Sequence, residues 1–164
     1  MNDISEVLKQ FHFTETKSET KRTWFANTNI YSSSYNFSKV CEDEKWQLSI
    51  ETKKNENCVF ISEIFGTITF DKENLNHKSI ESQNKFSFKR KKTIDHYNVN
   101  GFENSFKTEA LIVLLEYFID YFINITQENQ NISFRLIKNK EESDNKIDST
   151  LISNLIKLID LFKS

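Results

Sequence analysis

Between Thr20 and Phe70 the apolar pattern has period two, most clearly where Trp46, Leu48 and Ile50 alternate with Lys45, Gln47, Ser49 and Glu51. A strand puts every second side chain on one side, so this interval reads as half-buried strands. Strands that follow one another without an intervening helix pair antiparallel, because a parallel neighbour needs a long crossover connection. The interval therefore constrains the chain to an antiparallel sheet, with its helices packed against the sheet's apolar face.

Helical spacing occurs on either side of that interval. Ile4, Val7, Leu8 and Phe11 share one helical face, and Asp3 and Glu6 are spaced as an N-terminal capping pair. Residues 110–125 are apolar at 13 of 16 positions, with Glu116, Asp120 and Asn124 four apart on one narrow stripe, and are read as a buried helix. At about 1.5 Å per residue this run reaches about 24 Å, short of a hydrocarbon core of roughly 30 Å. Two carboxylates near its middle oppose insertion further. A last helix starts near Asp148, with Leu151, Ile152, Leu155, Ile156, Leu158, Ile159 and Phe162 as its apolar stripe.

The remaining segments supply strands and turns. Trp24 with Ala26, and Tyr35 with Phe37, mark two strands separated by Ser32-Ser33-Ser34, and the stretch 41–45 makes a charged hairpin turn. Residues 58–70 are apolar on both faces and are read as a strand covered on both sides, with Gly66 marking a bulge or a close backbone approach. A polar loop spans 74–84, a strand 85–99, and Asn100-Gly101 a tight turn with positive φ where the sheet ends. Ile132, Phe134 and Leu136 add a strand before the hydrophilic stretch 138–146. The predicted fold is α+β, a single domain over residues 1–164. It is an antiparallel sheet of about five to seven strands with helices on one face, in the order helix, several strands, helix, strand, helix.

Composition allows such a core to form unaided. Ile, Phe, Leu and Val make up about 30% of the 164 residues, well above the signature of disorder. A chain of this length buries roughly 70% of its unfolded surface, so it needs neither disulfides nor a structural metal. The balance of 22 basic and 24 acidic side chains gives a net charge of −2, with no polybasic or acidic tail. The absence of Pro, two Gly and an abundance of Asn, Lys, Ile and Phe match AT-rich codons, so an AT-rich genome is expected. Cys41 and Cys58 have no Cys-x-x-Cys spacing and fit a reduced compartment, although two cysteines can still pair. The opening residues lack the basic stretch and apolar block of a signal peptide, and a cytoplasmic location is expected. Asn36, Asn124 and Asn131, in Asn-x-Ser/Thr contexts, are then products of Asn abundance.

Two features stand out as binding candidates. The run 85–92 carries five cations in eight residues, and Phe86 and Phe88 beside Lys89, Arg90, Lys91 and Lys92 offer rings for bases and charge for phosphates. The competing reading is an edge strand whose lysines discourage aggregation, since rings and most of the charge fall on opposite faces. In the apolar helix, Tyr117, Phe118 and Tyr121 are candidate interface aromatics toward a second copy or another protein.

Catalytic groupings are sparse. Asp95, His96 and Glu103 with Lys92 are close in sequence, but adjacent residues on a strand point to opposite faces, which opposes a shared site. Glu42, Asp43 and Glu44 lack the ligand spacing and glycine of a calcium loop and read as a solvated turn. Neither cysteine has a visible base to activate it. Two glycines exclude the Gly-rich phosphate-binding motifs, so no cofactor and no metal are expected.

Tyr97-Asn98-Val99-Asn100-Gly101-Phe102-Glu103, with Phe106, the apolar helix and the strand at Ile132-Ser133-Phe134, resembles an uncharacterised bacterial domain family of unknown function. The resemblance covers the C-terminal half and implies a bacterial source. The expectation from the whole chain is a non-enzymatic interaction module that binds a protein partner or itself, of the adaptor, immunity or chaperone-like kind. The alternatives are a nucleic-acid-binding or nucleic-acid-processing protein using 85–92, and a small-ligand binder with a pocket between sheet and helices.

Overall fold

The computed structural model describes residues 4–25, 28–54, 59–72, 77–83, 93–102, 105–138 and 149–163. A short helix α1 (Ile4–Lys9) leads into four consecutive strands: β1 (Thr14–Phe25), β2 (Thr28–Cys41), β3 (Glu44–Lys54) and β4 (Val59–Phe70). After them come β5 (Lys78–Ser82), a 3-10 turn at Thr93–His96, β6 (Tyr97–Asn100), α2 (Ser105–Tyr117), the hairpin β7 (Tyr121–Glu128) and β8 (Asn131–Lys138), and α3 (Ser149–Lys163). The fold is α+β as the sequence predicts, but with eight strands, and a hairpin rather than one strand lies between the last two helices.

The strands form one antiparallel sheet in the order β1-β2-β3-β4-β8-β7-β5-β6. The sheet does not end at Asn100-Gly101. The β7–β8 hairpin inserts between β4 and β5, so both halves of the chain share its centre. Gly101 does take the left-handed conformation, at φ 82°.

Register explains where the core lies. Phe37, Leu48, Gly66, Phe134, Ile125 and Ile80 stand in one row across six strands. From β3 to β5 most side chains of that row's parity are buried, together with the inward side chains of α1, α2 and α3, in one cluster. Burial on β3 alternates residue by residue, with Trp46, Leu48, Ile50 and Thr52 inside. In β4 the pairing slips between Glu51 and Thr52, which leaves Ser62 as an extra residue and turns both Ile61 and Ile64 inward. That bulge accounts for Ile61, which strict alternation assigns to the second face. Among the described residues the helices cover one face of the strand, and Phe65 on the other is half-buried. Gly66 marks a close approach, since a Cβ there would lie 2.1 Å from the Gln47 carbonyl oxygen and 2.7 Å from the Phe134 ring.

Four further expectations are corrected. Ser32-Ser33-Ser34 is not a break between strands but runs through the middle of β2. β5 forms in the segment read as a polar loop, where Ile80 and Lys78 face the core. Of the strand expected over 85–99, residues 85–92 lie outside the described residues, 93–96 form the 3-10 turn, and 97–99 are strand, within β6. The apolar run 110–125 is not one helix: α2 ends at Tyr117, and β7 begins four residues later with Tyr121, Ile123, Ile125 and Gln127 inward.

Two polar devices fasten the helices to the sheet. Lys78, 5% exposed, donates from Nζ to the Phe162 carbonyl at 3.1 Å, supplying a cation at the C-terminal end of α3. Tyr97 donates its hydroxyl toward the Leu115 and Phe118 carbonyls at the end of α2, at 3.4 and 3.5 Å.

Candidate interaction surface

With the core on one side, no described helix covers the opposite side of the sheet, which carries mostly polar side chains beside half-buried Phe65, Phe122 and Ile137. Ser49 donates to Asn36 at 2.7 Å and Thr69 to Asn131 at 3.0 Å, while Arg135 pairs with Glu63. A shallow depression of about 530 Å³ lies there, bordered by Gln47, Ser49, Phe65, Thr67, Glu63 and Arg135. Its polar groups are largely engaged with their cross-strand neighbours, which suits a solvated face.

The other side of the sheet is covered unevenly. Along β2 the inward-facing residues pass from buried Phe37 (2% exposed) through half-buried Tyr35 to Tyr31 at 37%. The helices therefore reach the start of β1 and the Phe37 end of β2 but stop short of the distal part of this ladder, the β1–β2 arm around residues 22–24 and 29–31. Every side chain of β1 from Thr14 to Trp24 is exposed, because no apolar residue occurs between Phe13 and Trp24 to anchor a second layer. Trp24, at 64%, shares the helix-side face with Arg22 and Tyr31; Arg22 and Tyr31 are directly opposed, and Trp24 stands opposite Asn29. Arg22 Nε donates to the Asn29 amide oxygen at 2.8 Å, which holds the guanidinium across the arm. A ring, a fork of donors and a phenol thus lie together on one protruding ladder.

A smaller apolar surface lies on α2, where Val113 (66%) and Tyr117 (42%) are four residues apart. Of the three aromatics expected at an interface, Tyr117 alone is exposed. Phe118 and Tyr121 are in the core, because Phe118 closes the turn after α2 and Tyr121 starts the inward row of β7. Their rings stack edge to face at 5.7 Å.

The basic run containing Phe86, Phe88, Lys89, Arg90, Lys91 and Lys92 lies outside the described residues, as do Cys58 and Glu103. Asp95 and His96 belong to the 3-10 turn and not to a strand, so the opposite-face argument does not apply to them. Asp95 is exposed and His96 half-buried. Glu42 and Asp43 form the expected hairpin turn, Glu44 opens β3, and Cys41 is exposed at the end of β2. Among the described residues no group of three or more His, Cys, Asp or Glu is placed to hold a metal, and no helix is long and apolar enough to cross a membrane.

The sequence places Trp24 on a strand but gives Arg22, Trp24 and Tyr31 no pattern that marks them as a site. The available signal was a strand-forming segment, 14–23, without alternating apolar residues, followed by a tryptophan with no core to enter. No protein-family model, curated protein or solved structure matches this chain.

Proposed function

We propose that this chain is a non-enzymatic interaction module that binds another protein through the β1–β2 arm. The observation that carries the reading is the exposed trio Trp24, Arg22 and Tyr31 on a ladder beyond the reach of the helices. Trp, Tyr and Arg are the residue types that dominate binding hot spots, since they supply large contact area with a polar tip. A strand ladder holds them in fixed register, which lowers the ordering cost of binding.

The test is capture from lysate of the source organism with tagged protein, with and without nuclease, comparing wild type with Trp24→Ala/Tyr31→Ala. Both side chains are exposed, so the variant keeps its fold within roughly 0.5 kcal/mol per site. A stoichiometric protein band that survives nuclease and weakens about 30-fold or more in the variant supports the arm as the docking site. Equal capture by both proteins overturns it. The competing nucleic-acid reading rests on the five cations at 85–92; captured material removed by nuclease would favour it.

A further inference from the structure

The outer side of β1 is the long open edge of the described sheet, 12 residues against the four of β6 at the other edge. An edge of this length presents a row of backbone donors and acceptors, and lysines on it are the usual protection against pairing. Here the charges alternate in sign instead. Past a bulge at Thr16, Lys17, Glu19 and Lys21 fall on the uncovered face, while Ser18, Thr20 and Arg22 fall on the helix side. Lys17 and Glu19 form an ion pair at 2.6 Å within the strand.

That pattern selects among the ways in which the edge can meet its own copy. An antiparallel pair related by a two-fold axis perpendicular to the sheet opposes residues symmetrically about one central residue. Centring on Glu19 sets Lys17 against Lys21 twice, and centring on Lys21 sets Lys21 against itself. Centring on Ser18 opposes Lys17 to Glu19, but runs into the bulge two residues away. Centring on Thr20 opposes Glu19 to Lys21 twice and Ser18 to Arg22 twice, over the regular stretch 17–23.

We infer that two copies of this chain associate edge to edge through β1, antiparallel and centred on Thr20, joining two eight-stranded sheets into one. Both helix layers then lie on the same side, because directly opposed residues share a face. The contact uses the backbone edge and sets Arg22 beside Ser18 of the second copy, but it does not use Trp24 or Tyr31, on which the test of the protein-binding reading rests, so the two readings are tested separately. Failure of either leaves the other intact.

The test uses two single variants, Glu19→Lys and Lys21→Glu, and sedimentation equilibrium from about 10 to 500 µM, the range suited to a small interface. Each variant alone sets like charges opposite twice and should weaken self-association about tenfold or more. Their equimolar mixture restores both attractions, because the introduced lysine of one variant faces the introduced glutamate of the other and the two unchanged residues face each other. It should recover the wild-type association as a heterodimer. In a Cys41→Ser/Cys58→Ser background, Thr20→Cys should yield a disulfide-linked dimer on oxidation, as opposed strand residues meet at Cα separations a disulfide spans. A wild-type chain that stays monomeric across the range, a mixture no stronger than its components, or preferential cross-linking through Ser18→Cys overturns the inference.

Discussion

Lys163, in the last turn of α3, places its ammonium 2.8 Å from Asp160 and 2.8–2.9 Å from both carboxylate oxygens of Glu44, and 5.1 Å from the Trp46 ring centre. Trp46 in turn donates its indole N–H to Glu44 at 2.7 Å. The group is half-buried and ties the end of the last helix to the start of β3. Burial alone would raise the Glu44 carboxyl, but hydrogen bonds from Lys163 and Trp46 outweigh it and hold the carboxyl below its ordinary value. Burial likewise pulls Lys163 down, and its bonds to Asp160 and Glu44 outweigh that and raise it. A carboxyl depressed in the folded state contributes stability above its unfolded pKa, and that contribution is lost as pH falls through the folded value. A raised lysine contributes fully below its unfolded pKa and loses the contribution as pH rises through the folded value. Glu44→Gln should therefore cost about 1–3 kcal/mol at neutral pH. The gap to wild type should close as the medium is acidified. Thermal unfolding of both proteins between about pH 3 and 7 checks this, and a gap independent of pH would remove the carboxylate from the account.

Where α2 gives way to β7 the side chains stay apolar while the backbone changes period. The turn is closed by the Tyr121 N–H donating to the Phe118 carbonyl at 2.9 Å, and beyond it Ile123 and Ile125 are fully buried while Asn124 is exposed. Alanine substitution along 123–126 should show this alternation: about 2–4 kcal/mol at Ile123 and Ile125, against roughly 0.5 at Asn124. Urea unfolding of the series reads the pattern, and losses at three-to-four spacing would restore a helix to this segment. Legibility in the sequence followed the same physics. Period-two alternation in β3 and β8 and the stripe of α3 identified those elements, because one side of each faces water and the contrast is written in the residues. The 110–125 run carries no such contrast, since its helix and strand both draw on apolar residues and its polar positions happen to fall four apart. β5 was hidden for another reason: Lys78 is an inward-facing residue that reads as solvent-exposed, and only its bond to the end of α3, from a segment 84 residues away, shows why it is buried. The exposed trio Trp24, Arg22 and Tyr31 was illegible for a related cause, as Trp24 and Tyr31 count as core by type and are exposed because the helices end before they reach the distal part of the ladder.

Coverage of the sheet divides the molecule into a centre and an arm. β4, β8 and β7 lie side by side in the middle with Ile64, Ile68, Leu136, Ile132, Ile123 and Ile125 fully buried, and all three helices join their core. Because β7 and β8 come from the C-terminal half and β4 from the N-terminal half, that centre forms only when both halves are in place. The outer stretch of β1 contributes no buried side chain and is held by its ladder to β2 and by surface pairs such as Thr20 with Ser33 at 2.9 Å. Surface pairs of this kind are worth little, so the arm can open without unfolding the centre. Native-state hydrogen exchange should then separate two groups. Amides of β4, β7 and β8 should exchange only through global unfolding, and those of β1 from Lys17 to Thr23 through local opening that costs about 3 kcal/mol less or lower still. Equal protection in β1 and β8 at high dilution would show that the arm belongs to the central cooperative unit. Repeating the measurement at rising protein concentration joins this to self-association: pairing through β1 predicts that its outward amides slow with concentration while those of β8 stay constant.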